Sequence, residues 1–512
     1  MSEELSLRDI RLQKLARLRE LGADPFRVEK HERTGSASKL LEEFEEEKPV
    51  KFAGRIVSYR LMGKAGFAHI SDGDGRIQGY FRKDDLGETG WEVFGLLDLG
   101  DHVGVEGRLF TTKTGEKSIY VTALTPLSKA LQPPPIGKEK EGETFSGLTD
   151  VEIRYRHRHL DLIANADARK TLIDRAKIVS AVRRYFDDSG YLEVETPLLQ
   201  LEAGGAAARP FLTHYNAYEI DVKLRISLEL YLKRLICGDI PAVYEIGRVF
   251  RNEGVSNRHN PEFTLLEFYE AYVNLEDMMT RVEDCFKAVA LSVYGKVTVI
   301  PPRNESNENS PMILDFGKPW KRVDLLKEIE RHTGLTAEDL SSFEGVLAAA
   351  KAADVPAKAR KVGGVIDLAK ERNLGGFIEK LLEVFVEPTL QEPTFVVGYP
   401  IETSPLAKKD PENPRMTRRF EGYVLGREVC NAFSEINDPI DQRARFEQQM
   451  GERETGDDEA HPMDEDFLFA LESGMPPTGG CGIGLDRMAM LLTGAEHIRE
   501  VMMFPFMRPI GE

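Results

Sequence analysis

The sequence predicts an α+β protein in which a small closed β-barrel precedes a larger region of mixed helices and strands. Between residues 50 and 128, short runs of alternating apolar residues are separated by turn residues, which is typical of a barrel of short strands. From residue 153 onward, amphipathic helical runs and strand-like runs alternate irregularly. The length of 512 residues agrees with this division, because one hydrophobic core rarely organises so long a chain.

Composition and charge exclude several classes of protein. Apolar residues make up 41% of the chain and charged residues 30%, which favours folded domains over disorder. No apolar run approaches the roughly 18 residues that span a bilayer, and the acidic start MSEELSLRDI does not resemble a secretory signal. The four cysteines are scattered without a CxxC pair, as in a reducing compartment. We therefore expect a cytoplasmic protein without membrane association.

The net charge of −18 is unevenly distributed along the chain. Opposite charges nearly balance over residues 1–130, so a polyanion would be repelled least by that part of the chain. The acidic stretch 452–466 we interpret as a solvated loop or helix face.

The first predicted element is a helix over residues 7–22 that ends at Gly22. Its apolar residues recur near one helical stripe, with basic residues opposite: Leu7, Ile10, Leu15, Leu18 and Leu21. Such a helix either packs against its own domain or presents its basic face to RNA, and the pattern leaves both possibilities open.

Five strand-like runs follow: VKFAGRIVSYRL, GFAHIS, RIQGYF, HVGVEGRLF and SIYVTAL. DGDG at 72–75 and KTGEK at 113–117 are the turn signals of hairpins between them. Five short strands of this kind suit the OB-fold, so the sequence predicts a first domain over residues 1–132. Three prolines followed by GKEKEGE predict a linker over residues 133–152, and the rest forms a second domain, 153–512.

Residues 167–188 predict a long amphipathic helix that Gly190 terminates. The residues on its apolar side are Leu172, Ala176, Val179, Val182 and Phe186. YLEVETP then predicts a strand that ends at Pro197. An ordinary core helix followed by a strand explains this segment equally well.

The segment 242–272 predicts an antiparallel hairpin with a long polar tip, GVSNRHNP. Because side chains alternate across a strand, one face of the second strand holds Phe263, Leu265, Glu267 and Tyr269. Arg251 and Glu253 share a face at the end of the first strand, and His259 lies in the tip. Burying so many charged groups is costly unless a charged ligand binds, although a solvated sheet face with salt bridges is the alternative.

The segment RFEGYVLGREVCNAFSEIND brings Glu421, Glu428 and Glu435 into one strand-like stretch. Asn431, Phe433 and Glu435 share a face by parity, whereas Glu428 does not. Either a bulge intervenes or Glu428 serves a different part of the site. Carboxylates at this density can hold Mg²⁺, which prefers one or two carboxylates together with phosphates, whereas plain surface acidity is the alternative.

A glycine run in PPTGGCGIGLDRMAMLLTG precedes a helical pattern that has Arg487 in its first turn. Glycines allow the backbone and a ligand to approach closely. The run matches neither GxxxxGK[ST] nor a dinucleotide-binding GxGxxG after a strand, so by itself it specifies no ligand.

In combination, these segments resemble a known family. ETP, FRNEG…RHNPEFT and GIGLDR occur in the order of the three signature segments of class II aminoacyl-tRNA synthetases. GGAAARPF, ELYLKRL and REVCNAFSEIND make nearly the whole chain similar to bacterial-type lysyl-tRNA synthetases. The resemblance implies an antiparallel catalytic sheet flanked by helices, an OB-fold anticodon domain, and a homodimer built partly through residues 167–197. It implies ATP, L-lysine and tRNA(Lys) as partners, with Mg²⁺.

The resemblance also implies roles for individual residues. The ATP site would contain Arg251, Glu253, His259, Asn260, Phe263, Glu421 and Arg487. The lysine site would contain Gly205, Glu229, Arg251, Glu267, Tyr269, Asn431, Phe433 and Glu435. Glu421 and Glu428 would hold Mg²⁺, and the catalytic residues would be Arg251 and Arg487. The barrel residues facing the anticodon would be Arg60, Phe67 and Gln78.

The chain departs from the family's pattern at three small residues. Cys430 and Ala432 stand where glycine-like residues are common beside the ε-ammonium pocket, and Cys481 interrupts the glycine run. Larger side chains at these positions could reshape the pocket, which bears on fine substrate choice rather than on the class of reaction.

Three other functions are compatible with parts of this pattern. Aspartyl- or asparaginyl-type synthetases share the architecture, but their pocket needs a basic anchor where this sequence has Glu435 and Tyr269. A lysine-activating paralogue that modifies a translation factor would resemble only the catalytic half, and residues 1–130 argue against it. A catalytically inactive RNA-binding module would not be expected to retain Arg251 and Arg487.

Overall fold

The computed structural model describes residues 6–140, 143–145, 147–299, 313–454 and 461–510. Contacts divide the chain into two compact units, Met1–Asp167 and Ala168–Glu512. The domain borders predicted at residues 132 and 152 both fall inside the first unit and stay predictions. Parts of two interpreted segments lie outside the described residues, namely 141, 142 and 146 of the linker and 455–460 of the acidic stretch.

The first unit contains the predicted five-stranded barrel, which closes in the order β1-β2-β3-β5-β4. Its strands are β1 Pro49–Met62, β2 Ala65–Ser71, β3 Arg76–Arg82, β4 His102–Thr111 and β5 Lys117–Ser128. The DGDG and KTGEK segments connect antiparallel neighbours, as predicted. Alternate side chains fill the interior, including Phe52, Ile56, Ile70, Phe81 and Val105.

The remaining elements of the first unit include two helices of 14 and 13 residues and several short elements. They are α1 Leu7–Glu20, α2 Ala37–Glu42, α3 Lys83–Gly95, β6 Lys138–Lys140, β7 Glu143–Phe145, α4 Val151–Arg156 and α5 Arg158–Ala164. The apolar stripe predicted for α1 is wrong at its start, where Leu7 and Ile10 are exposed. Arg11 is buried instead, because its guanidinium donates to the backbone carbonyls of Leu99 and Ala130.

The second unit is built on a large sheet. Its strands, with those of two smaller sheets, are β8 Leu192–Glu193, β9 Leu199–Gln200, β10 Leu212–Tyr215, β11 Ile220–Leu224, β12 Ala242–Phe250, β13 Glu262–Ala271, β14 Thr298–Val299, β15 Leu314–Asp315, β16 Lys321–Asp324, β17 Thr394–Pro400, β18 Met416–Val424, β19 Arg427–Ser434 and β20 Thr478–Gly484. Within the described ranges, the large sheet has the order β16-β17-β18-β19-β20-β13-β12-β8. Its central pairs are antiparallel, as expected, and only the two edge pairs are parallel.

Helices cover one face of this sheet. The helices of the second unit, with the one that leads into it, are α6 Ala166–Asp188, α7 Glu229–Cys237, α8 Leu275–Tyr294, α9 Leu325–Thr333, α10 Phe343–Ala352, α11 Val355–Lys361, α12 Leu374–Leu381, α13 Pro439–Glu454, α14 Glu465–Glu472, α15 Leu485–Thr493 and α16 Ile498–Val501. Apolar residues of α6, α8 and α15 form one core with the sheet, in which Val182 and Phe186 meet Leu266 and Phe268. The strand predicted for YLEVETP is reduced to β8, two residues long.

The other face of the sheet carries the polar groups, beside α7 and α14, whose apolar residues pack against β12 and β13. Along β13, Leu266 and Phe268 point into the core, whereas Glu267 and Tyr269 point the opposite way, as the predicted alternation requires. The described part of the chain contains no helix that is both long and apolar enough to cross a bilayer.

Candidate active site

A cavity of about 570 Å³ opens on the polar face of the sheet in the second unit. Most of the predicted site residues line it: Gly205, Glu229, Arg251, Glu253, His259, Asn260, Phe263, Glu267, Tyr269, Glu428, Asn431, Phe433 and Arg487. Glu435 and Glu421 are not among its lining residues. The three predicted anticodon residues belong to the barrel of the first unit.

One end of the cavity concentrates negative charge. Glu267 comes from the sheet and Glu229 begins α7, and both side chains are buried. Oε1 of Glu267 accepts from Ser227 Oγ at 3.1 Å and from the Leu228 backbone N–H at 3.0 Å, while Oε2 accepts from the Tyr269 hydroxyl at 3.0 Å. Burial and then the charge of Glu229 raise the pKa of Glu267 to about 7.

Glu435 lies behind this end of the cavity, in contact with its floor. It follows β19 and is 1% exposed, and its Oε2 accepts from the Lys233 ammonium at 2.7 Å. Its Oε1 has no hydrogen-bond partner among the described residues. That oxygen lies against Gly480, where a Cβ would come within 2.1 Å of it and 2.4 Å of the Tyr269 ring. A buried acceptor without a donor is costly, so Oε1 is suited to a ligand that carries a donor.

The connection between β9 and β10 approaches the same end at Gly205. Gly205 adopts a φ of +88°, in the left-handed region that favours glycine, and a Cβ there would lie 2.5 Å from Ser227 Oγ. Its backbone N–H donates to Nε2 of His461 at 2.6 Å, and Nδ1 of His461 donates to the Pro462 carbonyl at 2.8 Å. Burial lowers the pKa of His461 to about 4, so the ring is neutral and can accept from Gly205.

The opposite end of the cavity concentrates positive charge. The Arg251 guanidinium forms no ion pair within the described ranges, and its Nε donates only to the Ile226 carbonyl, at 3.4 Å. It lies 5.2 Å from the centroid of the Phe263 ring. Burial lowers the pKa of Arg251, although arginine remains charged in proteins. Arg251 is half-buried, and a guanidinium without an ion-pair partner is an anion-binding group.

Arg487 reaches the same end from the first turn of α15, as predicted. Its Nη1 donates to Oε2 of Glu428 at 2.7 Å, and its Nη2 lies 3.3 Å from Nε2 of His259. Nδ1 of His259 lies 2.9 Å from Ser256 Oγ. Burial and then the charge of Arg487 lower the pKa of His259, which favours the neutral ring. Asn260 is buried close by, and its Oδ1 has no partner among the described residues.

A bulge in β19 explains why Glu428 and Asn431 reach the same cavity although three positions separate them along the strand. In the β18–β19 hairpin, Gly422 pairs with Cys430 but Tyr423 pairs with Glu428, so one extra residue stands between the two pairs. Asn431 and Glu428 therefore both line the cavity although their spacing is odd. Of the two interpretations that the sequence left open for Glu428, the structure shows the intervening bulge.

The three departures from the glycine-like pattern lie in the core beneath the sheet, and two of them also line the cavity. Cys430, Ala432 and Cys481 all belong to the core beneath the sheet. A Cβ at Gly422 would lie 2.5 Å from the Cys430 Sγ and 3.1 Å from Trp320. Cys430 and Cys481 line the cavity from this layer, so the expectation that they reshape the pocket stays a prediction.

Glu421 lines a second cavity of about 420 Å³, together with Glu428. Its oxygens accept from Arg419 Nη2 at 2.6 Å and from the hydroxyls of Tyr399 and Tyr423 at 2.9 and 2.6 Å. Three further glutamates line this cavity, and burial and then the charges of Glu421 and Glu428 raise the pKa of Glu387 to about 7. No three His, Cys, Asp or Glu side chains in the described ranges are arranged to hold a metal by themselves.

Sequence reasoning missed three residues of the site. Lys233 binds Glu229 at 2.6 Å and Glu435 at 2.7 Å, His461 binds the Gly205 backbone, and Arg419 bridges Asn431 and Glu421. Of these, only Lys233 carried a sequence signal: it lies four residues after Glu229 on one helix, the spacing of an ion pair.

The predicted anticodon residues lie on the outer face of the barrel. Arg60 is exposed and pairs in register with Phe67, whose ring is half-buried at 5.0 Å from that of Tyr80. Gln78 is buried: its Nε2 donates to Glu116 at 2.7 Å, and its Oε1 accepts from Ser118 at 3.0 Å. Phe67 is thus not one of the residues that fill the barrel.

Comparisons with known proteins agree with this geometry. The family described as tRNA synthetases class II (D, K and N) matches residues 150–508, and an OB-fold nucleic acid binding domain matches residues 50–127. The chain is 47% identical over 502 residues to a lysine–tRNA ligase of Pelotomaculum thermopropionicum, covering 98% of this chain and 94% of the relative. It is 48% identical over 520 residues to that of Staphylococcus saprophyticus (99% and 100%), and 47% identical over 508 residues to that of Bacillus subtilis (98% and 96%).

Proposed function

The chain belongs to the class II tRNA synthetases of the D, K and N group, and we propose that it activates L-lysine with ATP and transfers it to the 3′ end of tRNA(Lys). The observation that carries this proposal is one cavity with opposed charges at its two ends. Guanidinium groups at one end suit a nucleotide, and carboxylates at the other suit a substrate with two ammonium groups. An aspartate side chain would bring a second negative charge against Glu435, and the neutral side chain of asparagine would leave the charge of Glu435 without an ammonium partner.

Lysine is proposed to bind with its two amines at the acidic end. Gly205, Glu229 and Glu267 would receive the α-ammonium group. The ε-ammonium group would donate to Oε1 of Glu435, and its pocket would be completed by Tyr269, Asn431 and Phe433. Held in this way, the substrate carboxylate is directed toward Arg251 across the cavity.

ATP is proposed to bind at the basic end. Glu253, His259 and Asn260 would position the adenine and the phosphates. The base would stack on Phe263 from below and under Arg487 from above, and Arg487 would also neutralise the γ-phosphate. In the structure the Arg251 guanidinium lies over one face of the Phe263 ring. If the adenine stacks on that face, Arg251 must lie beside the base or move when ATP binds.

The proposed reaction needs no covalent enzyme intermediate. The lysine carboxylate attacks the α-phosphate in line, giving lysyl-adenylate and pyrophosphate. The 3′ hydroxyl of the tRNA then attacks the lysyl carbonyl, which forms the ester and releases AMP and a proton. Arg251 and Arg487 stabilise the charge that develops on the phosphate oxygens, so catalysis consists of positioning and electrostatics. Neutral His259 fits a phosphate contact better than a general base.

Mg²⁺ is proposed to bind through Glu421 and Glu428. The cavity that these two line is strongly acidic, and a divalent cation would offset the repulsion that raises the pKa of Glu387. A carboxylate offers about four lone-pair sites, and the three donors to Glu421 leave one for a cation. Two carboxylates with phosphate oxygens are a usual set of ligands for Mg²⁺, which neutralises phosphate charge.

A homodimer and a cytoplasmic location complete the proposal. The small sheet β10-β11-β9 and the residues around it expose apolar side chains that a monomer would be expected to bury. The most exposed of these are Leu192, Leu199, Leu201, Leu212 and Tyr218. Their cluster supports an interface with a second copy. The cytoplasm is where ATP, lysine and tRNA meet.

Lysine-dependent exchange of pyrophosphate into ATP, followed by charging of tRNA(Lys), tests the proposal. We expect exchange with lysine and none above background with aspartate or asparagine, because only lysine supplies a second ammonium group for Glu435. Arg251→Gln serves as the negative control. Exchange driven by aspartate or asparagine, or exchange without tRNA charging, would refute the proposed substrate or the proposed second step.

A further inference from the structure

One buried cation in the lysine pocket has no part in the chemistry described above. Lys233 lies on α7, its side chain is 0% exposed, and its ammonium donates to Glu229 at 2.6 Å and to Glu435 at 2.7 Å. It therefore links the carboxylate proposed for the α-ammonium group with the carboxylate proposed for the ε-ammonium group. A link of this kind couples the two ends of the amino-acid site.

The charges of the pocket balance only when Lys233 is counted. Three buried carboxylates face the site, from Glu229, Glu267 and Glu435, and Lys233 neutralises one of them. Arg419 is also near, but its Nη2 is committed to Glu421. When all three carboxylates are ionised, two negative charges remain, which equals the number of ammonium groups on lysine. Because uncompensated buried charge is costly, this balance selects a substrate with two ammonium groups.

Lys233 also fixes which oxygen of Glu435 is available. Its bond occupies Oε2, and Oε1 is the oxygen without a partner among the described residues. The Lys233 ammonium is itself held in place, with aromatic rings at 5.2 Å (Phe467) and 6.0 Å (Phe433). Without this cation, Glu435 would be free to rotate or to take up a proton, and a protonated carboxyl would present a donor to the substrate amine.

We propose that Lys233 is a specificity-determining, positioning residue of the amino-acid pocket, which favours the ionised forms of Glu229 and Glu435 and orients them for a diammonium substrate. This inference rests on the proposed function. The alternative is a purely structural ion pair that stabilises the fold without affecting substrate choice. Other titratable groups also face this cluster, and they are Glu267, Tyr269, Arg419, Cys237 and His461.

The first test replaces the cation with an uncharged side chain of similar length, Lys233→Met. At pH 7 we expect the KM for lysine to rise at least about tenfold, the factor that corresponds to one pKa unit, while the KM for ATP stays within about twofold. The increase should shrink as pH rises from 6 to 8.5, because carboxyls that lost their cation ionise again. The exposed Lys370→Met is the matched control and should leave both constants unchanged.

The second test restores the charge without the side chain. Lys233→Ala leaves a cavity that propylammonium fits, so millimolar propylammonium should lower the KM for lysine toward the wild-type value. Propanol, which has the same length but no charge, should not. A structural ion pair predicts a KM that neither pH nor propylammonium restores. If both variants fail to fold even with propylammonium, Lys233 is a structural residue and the proposal is wrong.

The wild-type protein separates this inference from the function on which it rests. If the wild type shows no lysine-dependent pyrophosphate exchange, the proposed function fails. If the wild type shows exchange and Lys233→Met retains the wild-type KM for lysine at every pH, the proposed function stands and the role assigned to Lys233 is refuted.

Discussion

Glu435 carries the single oxygen atom on which recognition of the substrate most depends. Replacing it with glutamine removes one negative charge from a fully buried site and leaves Lys233 with one carboxylate. Breaking a buried ion pair on one side costs roughly 3–5 kcal/mol, so we expect the KM for lysine to rise by at least about a hundredfold. Steady-state pyrophosphate exchange measures this constant, with the exposed Glu472→Gln as the control. A change of less than tenfold would contradict the role of Glu435.

The raised pKa of Glu267 leads us to expect that binding of lysine depends on pH. Its pKa of about 7 lies above the usual value, so below pH 7 the free protein holds this carboxyl protonated. Ionised Glu267 is the form that accepts the α-ammonium group, and the KM for lysine should therefore fall as pH rises from 6 to 8.

The raised pKa of Glu267 also affects the free energy of unfolding, which can be measured separately. Between about pH 4.5 and pH 7 the native state binds more protons at Glu267 than the unfolded state, so this group lowers stability as pH rises. Bound lysine compensates the charge, and the increase in Tm on adding lysine should be larger at pH 8 than at pH 6. An equal increase at both pH values would argue against lysine at Glu267.

At the scale of elements, we expect the barrel to bind tRNA and the large sheet to carry adenylate formation. A base stacked on an aromatic ring contributes about 1–3 kcal/mol, and the ring of Phe67 is half-buried on the outside of the barrel. Phe67→Ala should therefore raise the KM for tRNA about 5- to 150-fold and leave pyrophosphate exchange nearly intact. Phe26→Ala, which removes an exposed ring from the same unit, is the control. Equal losses in both reactions would refute the division.

Strand periodicity explains why much of the site was predictable. The alternation along β13 put Glu267 and Tyr269 on one face from sequence alone, and the structure agrees. The face of Glu428 could not be predicted, because a bulge changes parity without a sequence signature in a single chain. His461 was missed for a different reason, since its partner Gly205 lies 256 residues away and only the fold brings them together.

At the scale of the whole molecule, the exposed apolar side chains around β9–β11 predict self-association. Leu212 is 73% exposed on β10, so Leu212→Glu should leave the monomer folded and increase the monomer fraction in sedimentation velocity. Val365 is 74% exposed elsewhere in the second unit, and Val365→Glu should not change the distribution. A monomeric wild type, or equal effects of the two variants, would contradict an interface at this sheet.

Selectivity between amino acids tests most directly whether the carboxylates of the cavity recognise the ε-ammonium group of lysine. The measurement is kcat/KM in pyrophosphate exchange for lysine, for norleucine, which lacks the ε-amine, and for ornithine, which is one methylene shorter. Leaving Glu435 without its partner costs about 3–5 kcal/mol, so norleucine should be disfavoured by about two to four orders of magnitude. Loss of one methylene costs about 1–3 kcal/mol, so kcat/KM for ornithine should be lower than for lysine by only about 5- to 150-fold. Comparable values for lysine and norleucine would contradict the account.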